Sequence, residues 1–398
     1  MMHRYAALAL TLSSVFLIVM AILVNSPQLF IMAAAIISTI LAARLQAYYS
    51  VRFLRFERFV PPAVKVGELT TVEIIVWSER RIKRPLVTIT DTIPKRLIGE
   101  QPVDSLPVAP SYDQPIKTRY TFKPLRRGRY HWERLTAEAT DATGLVTQSK
   151  QYHADPVDLT VYPAPLPINV DISPIVGWGA SELDEGKHRG SGMEPHGIRE
   201  YASGDPLRYV HWRSTARRGK LMVKEFETGS GVAVNFILQR TQGTEVSGKE
   251  TSTFEAMCAN ALFLASDFIR KGATVCFPTQ EKRAMMRAHS EVREREVREI
   301  LTDIQPTESQ LLSQDVAQAR SSVRAGETVA ILVAVQDSLL PAAIAGWTDV
   351  QVTCLVYNPA EYGTVPVQLA AATDPSYIAL LEMAGAKVIV VPRMEHLA

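Results

Sequence analysis

The sequence has few cysteines, and their arrangement excludes a disulfide framework. Among 398 residues there are only three, Cys258, Cys276 and Cys354, and each lies in an apolar run far from the others. An odd and widely spaced set is typical of a protein in a reducing compartment. We expect all three to be buried as small apolar side chains rather than to bind metal or act as nucleophiles.

The chain also lacks a net charge of any size. Its 43 Lys and Arg residues nearly balance its 41 Asp and Glu residues, which leaves a formal charge of +2 at pH 7. No overall field therefore draws the whole molecule toward nucleic acid. The charged fraction of 21% and the apolar fraction of 47% exclude a disordered chain and indicate a globular protein with an added apolar segment.

Common catalytic motifs are missing as well. The sequence contains no nucleophile elbow, no phosphate-cradling glycine loop and no H-E-x-x-H. His188, His196 and His211 are spread along the chain without the spacing of zinc ligands. These absences disfavour the usual hydrolase, nucleotide-binding and zinc-enzyme classes.

What the sequence does have is a pair of long apolar runs at its N-terminus. Residues 5–24 carry no charge, and a second apolar run follows after the uncharged turn sequence "NSP". A cleaved signal peptide is the competing interpretation. The first run is long for a signal core, and no small-x-small cleavage site precedes the second. We predict a transmembrane hairpin and juxtamembrane segment over residues 1–58, with helices at about residues 5–24 and 28–47.

Basic residues predict the orientation of this hairpin in a cell membrane. Arg4 precedes the first helix and four arginines follow the second, whereas the connecting loop has none. The positive-inside rule then places both ends, and everything after residue 58, in the cytoplasm. The four are Arg44, Arg52, Arg55 and Arg58. Tyr48 and Tyr49 would lie at the level of the headgroups, and we expect each arginine beyond them to gain about 1 kcal/mol from anionic lipid.

Residues 59–166 change to a period of two, which is typical of strands. Segments such as "TTVEIIVW" and "IKTRYTF" alternate apolar and polar residues, and breaks rich in Pro, Gly and charge separate them. With no helical stretch between them, they predict an antiparallel immunoglobulin-like β-sandwich. We interpret the basic cluster Arg80, Arg81, Lys83 and Arg84 as a solvated hairpin tip between two strands.

Residues 230–398 alternate strands with helices after a linker and charged segment at residues 167–229. In residues 252–271 apolar side chains recur on one helical face, Ser252 and Glu255 form a capping-box pattern, and Gly272 ends the helix. Asp374 and Pro375 mark another helix start. Apolar strands joined by helices predict a mainly parallel, doubly wound α/β domain.

The charged segment carries a resemblance to a known family. Its order, R-E-Y-x-x-G-D-P-x-R-x-V-H-W-R-S-T-A-R-R-G-K-L-M-V-K-E-F-E, together with "RRGRY", "DATGL" and "VYP" upstream, resembles the bacterial family catalogued as domain of unknown function number fifty-eight. The resemblance covers nearly the whole chain. It implies two membrane helices, a β-region and a von Willebrand factor A-like α/β domain. His211 stands where many members carry an acid, which argues against a fixed catalytic aspartate there.

The resemblance also bears on metal binding. A von Willebrand factor A module normally holds a divalent cation through D-x-S-x-S directly after its first strand. Here the corresponding residues 239–243 read "QRTQG". Gln239 replaces the aspartate and Gly243 removes a hydroxyl, and a neutral amide does not balance a divalent charge as a carboxylate does. We therefore expect no metal and no cofactor.

The candidate site is the charged segment itself, and it has three interpretations. An ion-pair network of its acids and guanidinium groups would form a latch that fixes how the sandwich meets the α/β domain, either as a purely structural element or also as a docking surface. An enzyme would use Asp205, Glu200 or His211 as a base and Arg208 or Arg217 to hold an anion. Single-stranded nucleic acid is less favoured, because acids are interspersed among the basic and aromatic residues. The segment's residues singled out are Arg199, Glu200, Tyr201, Gly204, Asp205, Arg208, His211, Trp212, Arg213, Ser214, Ala216, Arg217, Leu221, Val223 and Glu225.

Together these observations favour a membrane-anchored, non-catalytic adaptor or assembly factor with its soluble domains in the cytoplasm. The expected partners are the lipid bilayer and a protein, while nucleic acid is not expected. The family resemblance implies that the protein partner is a MoxR-type AAA+ ATPase. The alternative is a membrane-tethered hydrolase that acts through Asp205, Arg208 and His211.

Overall fold

The computed structural model describes most of the chain and divides it into two compact units, Met1–Tyr162 and Pro163–Ala398. In the ranges 2–6, 195–200, 223–226 and 282–283 and at residue 280 only the backbone is described. The described residues are 2–81, 84, 86–112, 114–170, 172, 195–200, 211–226, 233–249, 251–280, 282–283 and 289–393.

The first unit begins with the two predicted helices, α1 (Met2–Val24) and α2 (Pro27–Ser50). Pro27 occupies the first turn of α2, where its missing N–H costs nothing. The spans Ala7–Val24 and Pro27–Ser50 have mean hydropathies of 2.7 and 1.9, and only 11% and 17% of them is buried. Both helices are long and apolar enough to cross a membrane. Their low burial is unlike that of a core helix in a soluble domain.

Two facing β-sheets complete the first unit. One sheet has the order β1 (Leu54–Phe59), β3 (Thr70–Ser78), β6 (Ile116–Phe122). The other has the order β2 (Ala63–Lys65), β8 (Thr147–Tyr162), β7 (Gly128–Thr140), β4 (Val87–Asp91), β5 (Leu106–Val108). Inward-facing residues of both sheets share one core because each strand alternates buried and exposed positions.

Several details of this unit correct the predictions from sequence. The sheet is not wholly antiparallel, since β2 pairs with β8 in parallel. A short helix, α3 (Lys95–Ile98), interrupts the strands. Strand β1 lies inside the predicted juxtamembrane segment, so Arg58 is buried in the sandwich and does not contact lipid.

The predicted hairpin tip is also wrong. Strands β3 and β4 lie in different sheets, so the chain between them is a crossover. Within it, Arg84 is half-buried and its Nη2 donates to the carbonyl of Arg52 at 2.7 Å. Arg84, which the sequence predicts to lie in a solvated hairpin tip, therefore packs near the end of α2.

The second unit contains a small hairpin and a six-stranded α/β sheet. Strands β9 (Pro195–Glu200) and β10 (Met222–Phe226) form the hairpin, with helix α4 (Trp212–Arg218) between them in sequence. The sheet consists of β11 (Ala233–Leu238), β12 (Thr274–Phe277), β13 (Lys282–Arg283), β14 (Thr328–Val333), β15 (Gln351–Tyr357) and β16 (Lys387–Val391). Its spatial order is β13-β12-β11-β14-β15-β16, and only β13 is antiparallel to its neighbour.

Helices cover both faces of this sheet, as the apolar strands predict. Helices α5 (Thr253–Arg270) and α6 (Ser290–Asp303) pack on one core. Helices α7 (Leu312–Ala319), α8 (Leu340–Ala345) and α9 (Pro375–Met383) pack on the other. The cysteines are free and buried, as predicted. The mainly parallel α/β architecture is confirmed.

Candidate functional site

The charged segment forms a hairpin that carries a short helix. In the hairpin Arg199 lies opposite Val223, Glu200 opposite Met222, and Gly197 opposite Glu225. The side chain of Met222 is buried, whereas helix α4 buries none of its residues. Strand pairing therefore brings the two ends of the sequence signature together, and it leaves α4 on the surface.

His211 holds the first turn of α4 as its N-cap. The ring Nδ1 accepts a hydrogen bond from the backbone N–H of Ser214 at 3.1 Å. The backbone N–H of His211 donates to the carbonyl of Met222 at 2.7 Å. In return the backbone N–H of Met222 donates to Oγ1 of Thr215 at 3.0 Å. These bonds fix the helix against strand β10, and Gly219 ends it in the left-handed conformation with φ 67°.

This geometry would accept either an acid or a histidine at position 211. An N-cap needs a side-chain acceptor for an orphan backbone N–H, and aspartate or a neutral imidazole nitrogen supplies one. The sequence contained a signal for it in the spacing H-x-x-S, but histidine is not among the usual capping residues. Sequence reasoning assigned His211 only to general-base chemistry and missed the cap.

The ring of His211 also makes a contact that favours an enzyme. The hydroxyl Oγ of Ser214 lies 2.9 Å from Nδ1 of His211. A general base activates a serine through a free lone pair, but here Nδ1 already accepts the serine's own backbone N–H. The arrangement is that of a helix cap.

The remaining predicted site residues fall into three groups. Trp212, Arg213, Ala216, Arg217 and Leu221 are exposed on or just after α4. Arg199, Glu200, Val223 and Glu225 lie on the hairpin strands, where only the backbone is described. Tyr201, Gly204, Asp205 and Arg208 lie outside the described residues. The predicted ion-pair network among them therefore stays a prediction.

Replacement of His211 by alanine should loosen α4 without unfolding the α/β sheet. Loss of the ring leaves the Ser214 N–H with only the backbone carbonyl of residue 211, which lies at 3.0 Å, as its acceptor and should cost about 1 kcal/mol. The change should appear as faster hydrogen exchange of the amides of residues 214–218. His211→Asp should keep wild-type protection, because its carboxylate caps the same N–H. Equal protection in the alanine variant and the wild type would show that the cap does not hold the helix.

A second motif, "DATGL", also proves to be a turn. The carboxylate of Asp141 accepts the backbone N–H groups of Thr143 at 2.8 Å and Val146 at 2.6 Å, as well as the Thr143 hydroxyl. Gly144 has a φ of 73°, which favours glycine. The motif closes the β7–β8 hairpin, and its Ala142 N–H donates to Oε1 of Gln46 at 3.3 Å.

The turn should make the stability of the sandwich depend on pH below about 4. Burial alone would raise the pKa of Asp141, but its hydrogen bonds outweigh that effect and hold the pKa below the ordinary value. A lowered folded-state pKa stabilises the protein above the unfolded-state value, about 3.9, and this contribution is lost as the pH falls through the folded-state pKa. Asp141→Asn should cost about 1–2 kcal/mol at pH 7.

The measurement is urea unfolding of both proteins at pH 7 and at pH 3. The difference between wild type and Asp141→Asn should shrink at the lower pH. A matched variant is Asp158→Asn, whose side chain is 84% exposed beside His131. A constant difference between wild type and Asp141→Asn across this range would exclude the proposed role of the charge.

The carboxyl edge of the parallel sheet is the other place where α/β proteins bind ligands. Strand order reverses between β11 and β14, and Gln239 follows β11 at that point. Its buried amide donates to the carbonyl of Val335 at 2.8 Å and accepts the N–H groups of Ala334 and Val335 at 3.0 Å each. The side chain joins the ends of two strands and has little capacity left for a ligand.

The residue after Gln239 is a buried arginine, Arg240. Nη2 of the buried Arg240 is 3.0 Å from Oδ1 and 3.2 Å from Oδ2 of Asp315, and Nη1 is 3.5 Å from Glu308. A guanidinium group at this edge repels a divalent cation and uses the nearest carboxylates itself. Among the described residues no group of three His, Cys, Asp or Glu side chains could hold a metal ion.

Comparison with solved structures finds small β-domains. The CARDB domain of the PF1109 protein from Pyrococcus furiosus, solved in complex with di-metal ions, is 19% identical. It covers 27% of this chain and 91% of that chain, with a TM-score of 0.20. The PKD domain of an M14-like peptidase from Thermoplasmatales archaeon SCGC AB-540-F20 is 12% identical, covers 25% of this chain and 92% of its own, and has a TM-score of 0.15.

Comparison by sequence finds a relative and a family. "Uncharacterized protein YeaD" of Bacillus subtilis (strain 168) is 22% identical over 262 residues, which cover 62% of this chain. The match spans 63% of that relative's own length. Residues 197–355, which include the β9–β10 hairpin, α4 and most of the α/β sheet, match the family described as protein of unknown function DUF58.

Proposed function

We propose that this protein is a membrane-anchored, non-catalytic adaptor or assembly factor. Helices α1 and α2 hold it in the cell membrane, with the sandwich and the second compact unit in the cytoplasm. The α/β part is a metal-independent von Willebrand factor A-like module. Its partner is a MoxR-type AAA+ ATPase, as the family resemblance implies.

Membrane anchoring is supported by the exposed apolar surface of the two helices. Side chains such as Phe16, Ile22 and Ile31 are more than half exposed, and burial in lipid would remove them from water. Arg4 and the arginines after α2 support the cytoplasmic orientation. Protease added outside intact cells should leave a tag after residue 398 undigested, and protease added to broken cells should remove it.

The module is supported by the order of its sheet and by the chemistry at its carboxyl edge. A doubly wound sheet binds ligands where the strand order reverses. In this chain Gln239 bonds to the neighbouring strand end, and Arg240 is paired with Asp315. An edge closed in this way suits recognition by an outer surface better than binding of a cofactor or a metal.

The observation that carries the proposal is the exposure of α4 on a fixed support. Trp212 is 67% exposed at its start, and no residue of the helix is buried. A large, rigid aromatic side chain on a capped helix is typical of an interface hot spot, since it loses little entropy on binding. The His211 cap provides the rigidity.

Replacement of Trp212 by alanine should abolish partner capture and leave stability unchanged. An exposed side chain contributes little to folding, so the free energy of unfolding should change by less than about 0.5 kcal/mol. The measurement is crosslinking in native membranes from a photoreactive amino acid at the exposed Ala216, in the wild type and in Trp212→Ala, followed by identification of the crosslinked protein. The expected product contains an AAA+ ATPase.

The control places the same photoreactive residue at Leu380, which is 52% exposed on α9. An ATPase crosslinked equally from both positions would contradict docking at α4. An ATPase crosslinked from neither would remove the proposed partner.

The hydrolase remains the second candidate because Ser214 and His211 are in contact. It predicts that a fluorophosphonate probe labels the wild type and not Ser214→Ala. It also predicts that Asp205→Asn and Arg208→Lys keep stability and partner capture but lose turnover. The adaptor predicts no labelling of Ser214 and a loss of binding or stability in one of these two variants.

A further inference from the structure

The end of the sandwich nearest α2 lies at the level of the lipid headgroups if the proposed anchoring is correct. About 20 helical residues cross the hydrocarbon layer, so a helix that starts at Pro27 leaves it near Gln46. Ala43, Ala47 and Ser50 are buried, and Gln46 accepts the N–H of Ala142 in the β7–β8 turn. The last turns of α2 are thus held against the sandwich.

The fold gathers cations from three parts of the chain at this end. Directly after α2, Cζ of Arg52 lies 4.0 Å from the ring centroid of Tyr48. From the β3–β4 crossover, Cζ of Arg80 lies 4.0 Å from the ring centroid of Phe53. We name the surface set the basic collar, and it consists of Arg52, Arg55, Arg80, Arg81 and Lys150.

The collar's Lys150, and the half-buried Arg84 beneath the collar, are tied to the same few residues. Cζ of Arg81 lies 5.3 Å from the ring centroid of Tyr112. Nη2 of Arg84 donates to the carbonyl of Arg52 at 2.7 Å. Nζ of Lys150 lies 4.4 Å from the ring centroid of Tyr152, whose hydroxyl donates to the carbonyl of Val51. Residues that are about 30 to 100 positions apart in sequence therefore surround the point where α2 ends.

Acidic residues cancel only part of this charge, and Asp155 lines the same surface cleft as Arg55 and Lys150. Glu79 pairs with Arg55, and the carboxylate of Asp141 is used inside its own turn. Among the described residues no carboxylate forms an ion pair with Arg52, Arg80 or Lys150. A net positive surface remains around the end of a helix that emerges from the membrane.

We propose that the basic collar binds the phosphate groups of anionic phospholipids in the leaflet from which α2 emerges. Continuity with the anchor selects this ligand, because the headgroups are the phosphates that lie at the collar's own depth. Guanidinium groups near the end of α2 would hold the sandwich against the bilayer and restrict its tilt. The sequence predicts that Arg58 contacts lipid, but Arg58 is buried and is not part of the collar. The collar instead includes Lys150 from β8, together with Arg80 and Arg81 from the β3–β4 crossover.

The test uses the full chain reconstituted in phosphatidylcholine vesicles with a trace of spin-labelled phosphatidylglycerol or spin-labelled phosphatidylcholine. Electron paramagnetic resonance measures how strongly the protein immobilises each lipid. The wild type should prefer phosphatidylglycerol, and Arg52→Gln/Arg80→Gln/Lys150→Gln should reduce the preference by about threefold or more. In 1 M salt the wild type should lose it too, because the screening length falls to about 3 Å.

The matched control removes the same charge at the far end of the sandwich. Lys65→Gln/Lys95→Gln/Lys123→Gln changes exposed lysines at the opposite end of strand β3, about 25 Å away at ~3.3 Å per residue. This variant should keep the wild-type preference. Equal preferences in the two triple variants, or none in the wild type, would overturn the collar.

A separate experiment distinguishes an error in the lipid-binding proposal from an error in the anchoring proposal. Extraction of membranes with alkaline carbonate should leave the full chain in the membrane fraction. Release into the supernatant would remove the proposed anchoring and the collar with it. Retention without any lipid preference would remove the collar alone, and an acidic protein segment would then be the better candidate for these arginines.

Discussion

Replacement of Arg58 by alanine should destabilise the sandwich by about 3–5 kcal/mol, because it leaves a buried carboxylate without its cation. Nε of Arg58 lies 3.2 Å from Oδ2 of Asp91, and both side chains are completely buried. Nη1 also donates to the carbonyl of Trp132 at 3.2 Å, and the hydroxyl of Tyr120 donates to Oδ2 of Asp91 at 2.6 Å. The variant would lose the cation and keep the cost of burying the anion.

The loss should depend on pH in a defined direction. Burial raises the pKa of Asp91 above its ordinary value, and the charge of Arg58 opposes that increase. Without Arg58 the folded-state pKa rises further. A raised carboxyl pKa gives stability that is present at low pH and is lost as the pH rises through the folded-state pKa. The penalty of Arg58→Ala should therefore be larger at pH 7 than at pH 5.

Urea unfolding of the full chain in detergent measures this effect. Limited proteolysis at each urea concentration reports the fraction of the sandwich that is unfolded. The control is Arg119→Ala, which removes an exposed pair with Glu73 and should cost about 0–1 kcal/mol. Arg58→Met/Asp91→Leu should recover most of the loss, since it removes both buried charges. Equal midpoints for Arg58→Ala and Arg119→Ala would show that the buried pair does not contribute.

The second large effect is expected in the α/β unit. Arg240→Ala should cost about 3 kcal/mol or more, because Asp315 is 1% exposed and would lose both hydrogen bonds from the guanidinium group. The sandwich should keep its own stability. The remaining carboxylate would lie beside Gln239, at the edge where related folds bind ligands.

Unfolding of the α/β unit is measured by the fluorescence of Trp347, which is buried there. Arg270→Ala is the control, since it removes a mostly exposed contact with Asp267 at 3.9 Å. Loss of partner capture in Arg240→Ala without a change in unfolding would assign Arg240 to docking. Unchanged capture and unchanged unfolding would contradict the role of the pair altogether.

Elements with local signals could be predicted from the sequence. Oγ of Ser252 accepts the N–H of Glu255 at the start of α5, as the capping pattern predicts. Oδ1 of Asp374 accepts the N–H of Ser376 at the start of α9, and Pro375 opens that helix. Such contacts join residues two or three positions apart, so the amino-acid order is enough to specify them.

Elements whose partners are distant could not be predicted in this way. Strand β1 was assigned to the membrane segment because its arginines and glutamate follow an apolar run, and only pairing with β3 identifies it as a strand. The parallel pairing of β2 with β8 joins segments almost 100 residues apart. In the signature, the cap of α4 became visible only when His211 was placed against β10.

The sequence by itself determined the two apolar helices, the alternation of the sandwich strands, the α/β rhythm and the buried cysteines. Each of these follows from periodicity or hydrophobicity within a short window of residues, so it does not depend on the tertiary fold. Tertiary structure alone decided that Arg58 is in a core, that Arg80 and Lys150 surround the end of α2, and that Arg240 pairs with Asp315. The physical reason is that an ion pair forms between surfaces, and only the folded topology decides which distant surfaces meet.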